Sequence, residues 1–139
     1  MIKYILAITA YVVATFATQA ISHFVINVDH YAMLPHLRTE PIFSLGFLSM
    51  LIQGAALAFL FASSEWAERS MLNAVLFAWL GGSLIVSYIA FAEAAKYSIY
   101  SIPSWIGVEI SAGFVQFTLF GLALGLIHRG LRASRAISQ

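Results

Sequence analysis

The chain has 139 residues, 61% of them hydrophobic and 9% charged, with four histidines, no cysteine and a formal net charge of +1. A soluble domain carries about 25% charged residues, so a chain this apolar lacks the polar surface to cover a water-soluble fold. The missing cysteines exclude disulfide frameworks, thiolate metal sites, iron–sulfur clusters and thiol redox chemistry, and the near-neutral charge gives no electrostatic reason to expect nucleic acid as a partner.

The first apolar run goes from Tyr4 to Val28, behind Lys3. About 20 residues suffice for a helix to cross roughly 30 Å of hydrocarbon, and a helix is the open-ended element that satisfies its own backbone there. Lysine ahead of an apolar stretch, with small residues near Ala17 to Ala20, is also the pattern of a cleavable signal. The run continues well past Ala20, so the expectation is a retained helix over residues 4–28. At about 100° per residue, Thr15, Gln19, His23 and His30 fall in one sector of that helix, with Asn27 at its edge. Such a stripe faces protein, either as interhelical hydrogen bonding with a wet helix end or as a ligand ladder rising to the membrane surface.

A polar connection holding Asp29, His36, Arg38 and Glu40 comes next, broken by Pro35 and Pro41. The second helix is expected over 42–62, where Gly46, Ser49 and Gln53 form a small and polar face. After Ser63-Ser64-Glu65 the third is expected over 71–95, with Ser83, Ser87, Ala90 and Ala94 on one face. Glu93 lies at its outer end, three residues before Lys96, a spacing that suits mutual charge neutralisation. Ser101-Ile102-Pro103-Ser104 introduces the fourth, over 104–128, in which Glu109, Gly113 and Gln116 share a face and Gly121 and Gly125 make a GxxxG pair. A short basic tail, 129–139, closes the chain.

These elements define an all-α, single-domain polytopic membrane protein, an up-and-down bundle of four transmembrane helices. Lys3, Arg69, Arg129, Arg132 and Arg135 lie on one side and Arg38 and Lys96 on the other. The positive-inside rule therefore places both termini in the cytoplasm and the His23 to Pro41 stretch outside.

Ionisable groups inside a membrane helix cost about 2.5 kcal/mol or more at mid-depth, so each needs a reason. Glu109, about a turn and a half inside the fourth helix, is expected to point into the bundle and to share its outer half with Glu93, His23 and His30. The ligand-binding or proton-handling candidates are His23, Asn27, His30, Gln53, Glu93, Glu109 and Gln116. Metal binding would draw on His23, His30, His36 and Asp29, although the spacing H-x6-H-x5-H is not a recognised ligand motif. The second and third helices have no histidine, so a haem would have to be shared between subunits, through His23. No nucleophile elbow, phosphate loop or zinc-protease motif occurs. The leading expectation is an accessory or binding subunit, embedded in the lipid bilayer as a homo-oligomer or beside other membrane subunits. Proton-coupled transport through Glu109 and His23 comes second, and a metal- or haem-dependent redox subunit third.

The stretch PIFSLGFLSMLIQGAALAFLFA, residues 41 to 62, carries Pro and Leu-Gly followed by Met-Leu-Ile-Gln-Gly. In this it resembles small uncharacterised bacterial membrane proteins with four helices, which implies a bacterial inner-membrane location and no particular activity. The chain departs from the four-helix glutathione-dependent membrane enzymes of similar length. Glu68, Arg69 and Asn73 approach their motif, but Leu76 stands where a carboxylate is wanted.

Overall fold

A computed structural model describes residues 1–35, 38, 40–68 and 70–137, with backbone alone for Glu68 and for 131–137. Among them all regular structure is helical: α1 (Ile2–Ile21), α2 (Val28–Ala32), α3 (Phe43–Ser63), α4 (Met71–Ser87), α5 (Ala94–Lys96) and α6 (Ile102–Ile137). Four segments are long and apolar enough to cross a membrane: Ile2–Ile26, Phe43–Ser63, Met71–Lys96 and Ile102–Gly130.

The first helix differs from the straight 4–28 element that periodicity suggests. Its end widens into a π-helical turn, Ser22–Ile26, and bends at Asn27, where φ is −114° and ψ 32°. Asn27 closes the wide turn twice over, through its backbone N–H to Ser22 O at 2.8 Å and its side-chain Nδ2 to Ser22 Oγ at 3.0 Å. A π turn takes up one extra residue, which moves every later side chain about 100° from its α-helical phase. The inward position expected at His30 thus passes to Tyr31. A second π segment, Tyr88–Glu93, extends α4, and Glu93 at its end lines a different pocket from Val86.

Caps set the remaining boundaries. Ser70 accepts a hydrogen bond from the Asn73 amide at 3.2 Å to start α4. Pro103 sits in the first turn of α6, where its missing N–H costs nothing. That helix outruns the expected 104–128, and its backbone stays helical to Ile137 through most of the basic tail.

α6 is the spine of the molecule. α4 and α1 pack along it most extensively, α3 packs on α1, and α3 and α4 touch little. Tyr11, Phe61, Phe117, Phe120 and Leu124 are the largest fully buried side chains, and Tyr11 meets Phe120 edge-on at 5.1 Å between centroids. Phe61, Phe77 and His128 cluster near the 64–70 connection, whereas Tyr31, Ala94 and Trp105 form a second core at the opposite end.

Gly121 and Gly125 work within the chain, against α4. A Cβ on Gly121 would lie 2.6 Å from Val75 Cα, a backbone atom that can yield only if the helices part. Gly121→Ala is therefore expected to destabilise the bundle by about 1–3 kcal/mol, the usual cost of overpacking. Gly107→Ala, with open space around its Cβ, serves as the control. Chemical denaturation in detergent micelles checks the pair.

In each of the four spans no more than 44% of the 18-residue apolar stretch is buried, and large apolar side chains such as Phe24, Phe43, Ile52, Leu60, Leu84 and Leu126 stand exposed. Apolar faces of this extent are foreign to a water-facing monomer and fit lipid or other apolar chains.

Candidate functional site

Between the four long helices lies a half-open cavity of about 200 Å³, on the side of the bundle away from the 64–70 connection. It could hold roughly six waters at ~30 Å³ each. Its polar lining comes from Thr15 and Gln19 of α1, Ser49 and Gln53 of α3, and Glu109 and Gln116 of α6; Ile85 and Val86 of α4 supply apolar wall. α6 contributes most because Glu109, Gly113 and Gln116 recur at helical spacing, and Gly113 leaves room for Val86 to close against it.

Glu109 is 6% exposed and Tyr31 3%. The Tyr31 hydroxyl donates to Glu109 Oε1 at 2.7 Å. Among the described residues no basic side chain forms an ion pair with Glu109, so Tyr31 is the group that holds its carboxyl. Burial, aided by the adjacent carboxyl and opposed by the Ser22 hydroxyl at 3.5 Å, keeps the Tyr31 phenol above its ordinary pKa, so it remains a hydrogen-bond donor across the neutral range.

Tyr31 is held on both sides. The His23 ring stacks on it at 3.6 Å between centroids with planes 12° apart, and Trp105 meets it edge-on at 6.3 Å. His23 is itself oriented by Nδ1 against Gln19 O at 3.0 Å. Trp105 donates Nε1–H to Ile89 O, a carbonyl in the second π segment, at 3.1 Å. Both wide turns therefore brace the Tyr31–Glu109 pair, which accords with the tendency of π bulges to occur at functional sites.

Below Glu109 the cavity is lined by amides. Gln19 Nε2 donates to Gln116 Oε1 at 3.0 Å, the Tyr11 hydroxyl donates to Gln53 Oε1 at 2.6 Å, and Gln53 Nε2 donates to Ser49 Oγ at 3.1 Å. Thr15 Oγ1, in the same wall, has no partner at hydrogen-bond geometry among the described residues. Tyr11→Phe is expected to cost about 0.5–1.5 kcal/mol, the net worth of one hydrogen bond, and to free the Gln53 carboxamide toward the cavity. Thermal unfolding in detergent measures the first effect.

The residues singled out by sequence are thus divided. Glu109, Gln116 and Gln53 line the cavity, His23 buttresses Tyr31, and Asn27 closes the turn that delivers it. His30 faces α6, with Nδ1 3.3 Å from Ser104 Oγ and its ring stacked on Trp105. Glu93 lines a separate pocket, and Asp29 is exposed. His36 lies outside the described residues. Among the described residues no three His, Asp or Glu side chains converge as metal ligands. Periodicity missed Tyr31, Tyr11 and Ser22. Tyr31 would have been found by placing the inserted residue at Ser22–Ile26, for which the sequence carries no marker.

Fold and cavity together define a class: an all-helical protein with four helices of membrane-crossing length and a carboxyl-bearing polar cavity between them. No family model, curated protein or solved structure matches the chain.

Proposed function

We propose that the protein is a multi-pass inner-membrane protein, an up-and-down four-helix bundle with cytoplasmic termini, that binds a small hydrogen-bonding molecule in the cavity between its helices. It does so as a homo-oligomer or as the accessory subunit of a membrane complex. The observation that carries the reading is Glu109: a buried carboxyl, held by Tyr31, in the wall of a polar cavity and without a basic partner among the described residues. A carboxyl at this depth calls for a proton, a cation or a strong hydrogen-bond donor. The exposed apolar faces support the lipid or subunit contacts, and the basic residues at one end support the orientation.

The test is thermal. A molecule that binds the folded state raises the unfolding temperature by mass action. Small-molecule extract of the source membranes should stabilise the wild-type protein and leave Glu109→Gln unchanged; equal stabilisation of both proteins contradicts the reading.

Proton-coupled transport is the second reading, favoured by the run of Tyr31, Glu109, Gln116, Gln19 and Gln53 through the bundle. It requires proton flux in liposomes that Glu109→Gln abolishes.

A further inference from the structure

Glu93 and Lys96 have the spacing of a helical ion pair, yet the structure separates their roles. Lys96 Nζ donates to the Tyr88 hydroxyl at 3.2 Å and lies 5.0 Å over the Tyr88 ring centroid. Glu93, at the end of the π segment, lines a pocket of about 240 Å³ with Leu34, Pro35, Tyr97, Ser98 and Trp105. Among the described residues its carboxylate has no hydrogen-bond partner, and Lys96 acts on it through its charge without direct contact. The pocket shares no lining residue with the central cavity, although Trp105 in its wall also meets Tyr31.

We infer that this pocket is a binding site for an organic ammonium group. A carboxylate supplies the counter-charge, and aromatic walls attract a weakly hydrated cation. Besides Glu93, the side-chain oxygens of the wall are the Ser98 and Tyr97 hydroxyls. That is too few for a divalent metal, which takes six or more ligands, or for a strongly hydrated alkali ion. A tertiary or quaternary ammonium needs no such shell. Its methyl groups pack against Leu34 and Pro35 while its charge faces Glu93. The pocket lies beside the 97–101 connection, whose Tyr97 and Tyr100 are exposed as in the aromatic belts that mark the headgroup level of a bilayer. The ammonium can therefore come from a choline-type lipid headgroup or from a free small amine.

The test uses the full chain in nanodiscs of phosphatidylglycerol, which carries no amine, titrated calorimetrically with tetramethylammonium chloride against sodium chloride at equal ionic strength. Saturable binding of tetramethylammonium is expected, at least tenfold weaker in Glu93→Gln and several-fold weaker in Tyr97→Leu, a substitution at an exposed position that leaves the fold intact. Loss of the titration in phosphatidylcholine nanodiscs assigns the site to a lipid headgroup, and its persistence there assigns it to a free amine. No saturable binding, or equal affinity in the wild type and Glu93→Gln, overturns the inference and leaves Glu93 as an interfacial charge.

Discussion

Glu109→Gln is expected to leave the bundle folded and to weaken retention of the cavity ligand at least tenfold, equivalent to about 1.4 kcal/mol of binding free energy. The substitution is nearly isosteric, and a glutamine carbonyl oxygen can still accept from the Tyr31 hydroxyl, so the bond that positions the side chain survives. What disappears is the ability to take up and release a proton. Tyr31→Phe does the reverse: it keeps the carboxyl and removes the 2.7 Å donor. Leaving a buried acceptor without its donor costs about 1–3 kcal/mol, so this variant is expected to lose stability as well as ligand. Because the two side chains are in direct contact through one hydrogen bond, their effects on stability should not add, and the double mutant resolves the coupling. Thermal unfolding with and without membrane extract measures all four proteins on one scale.

Trp105→Ala is expected to have the largest effect on stability, about 3–5 kcal/mol, as for other buried tryptophans cut back to alanine. The ring fills the second core between α2 and α5, covers Tyr31 and His30, and caps the Ile89 carbonyl through Nε1. Removing it leaves a cavity above the Tyr31–Glu109 pair and an unsatisfied carbonyl in the π segment. Trp105→Phe retains most of the packing and loses the hydrogen bond alone, so it is expected to fall between the wild type and the alanine variant. Denaturant titration in micelles, followed by helicity, provides the ordering. If Trp105→Ala proves as stable as the wild type, the 27–35 segment is not braced as described.

The four long helices could be read directly from the sequence because hydrocarbon thickness sets their length and apolar composition marks their course. Helical phase placed Gln116 on the face of Glu109, Gln53 on that of Ser49 and Gln19 on that of Thr15. The group expected around Glu109, however, was Glu93, His23 and His30, whereas the cavity gathers Gln116, Gln53 and Gln19. Phase failed wherever the helix widened. At Ser22–Ile26 an inserted residue changed which side chain turns inward, so Tyr31 replaced His30, and Glu93, at the end of Tyr88–Glu93, lines a pocket apart from the central cavity. Neither π turn has a proline or glycine to announce it; the first is closed by an ordinary asparagine that the sequence offers equally as a helix end. Pairing was no more legible than phase. Lys96 prefers Tyr88 to the glutamate three residues before it, and the two glycines of the GxxxG pair meet α4 of the same chain where such a pair could equally have served a dimer. Both outcomes depend on tertiary packing, which spacing along one helix does not contain.

The role proposed for the cavity rests on Glu109 anchoring a ligand between the helices. Native mass spectrometry of protein released gently from its own membrane is the sharpest test of that anchoring, because bound small molecules and neighbouring subunits are weighed together. A small-molecule adduct is expected on the wild-type protein and absent from Glu109→Gln, with the same subunit stoichiometry in both. Identical spectra for the two proteins, whether with the adduct or without it, would show that Glu109 holds no ligand.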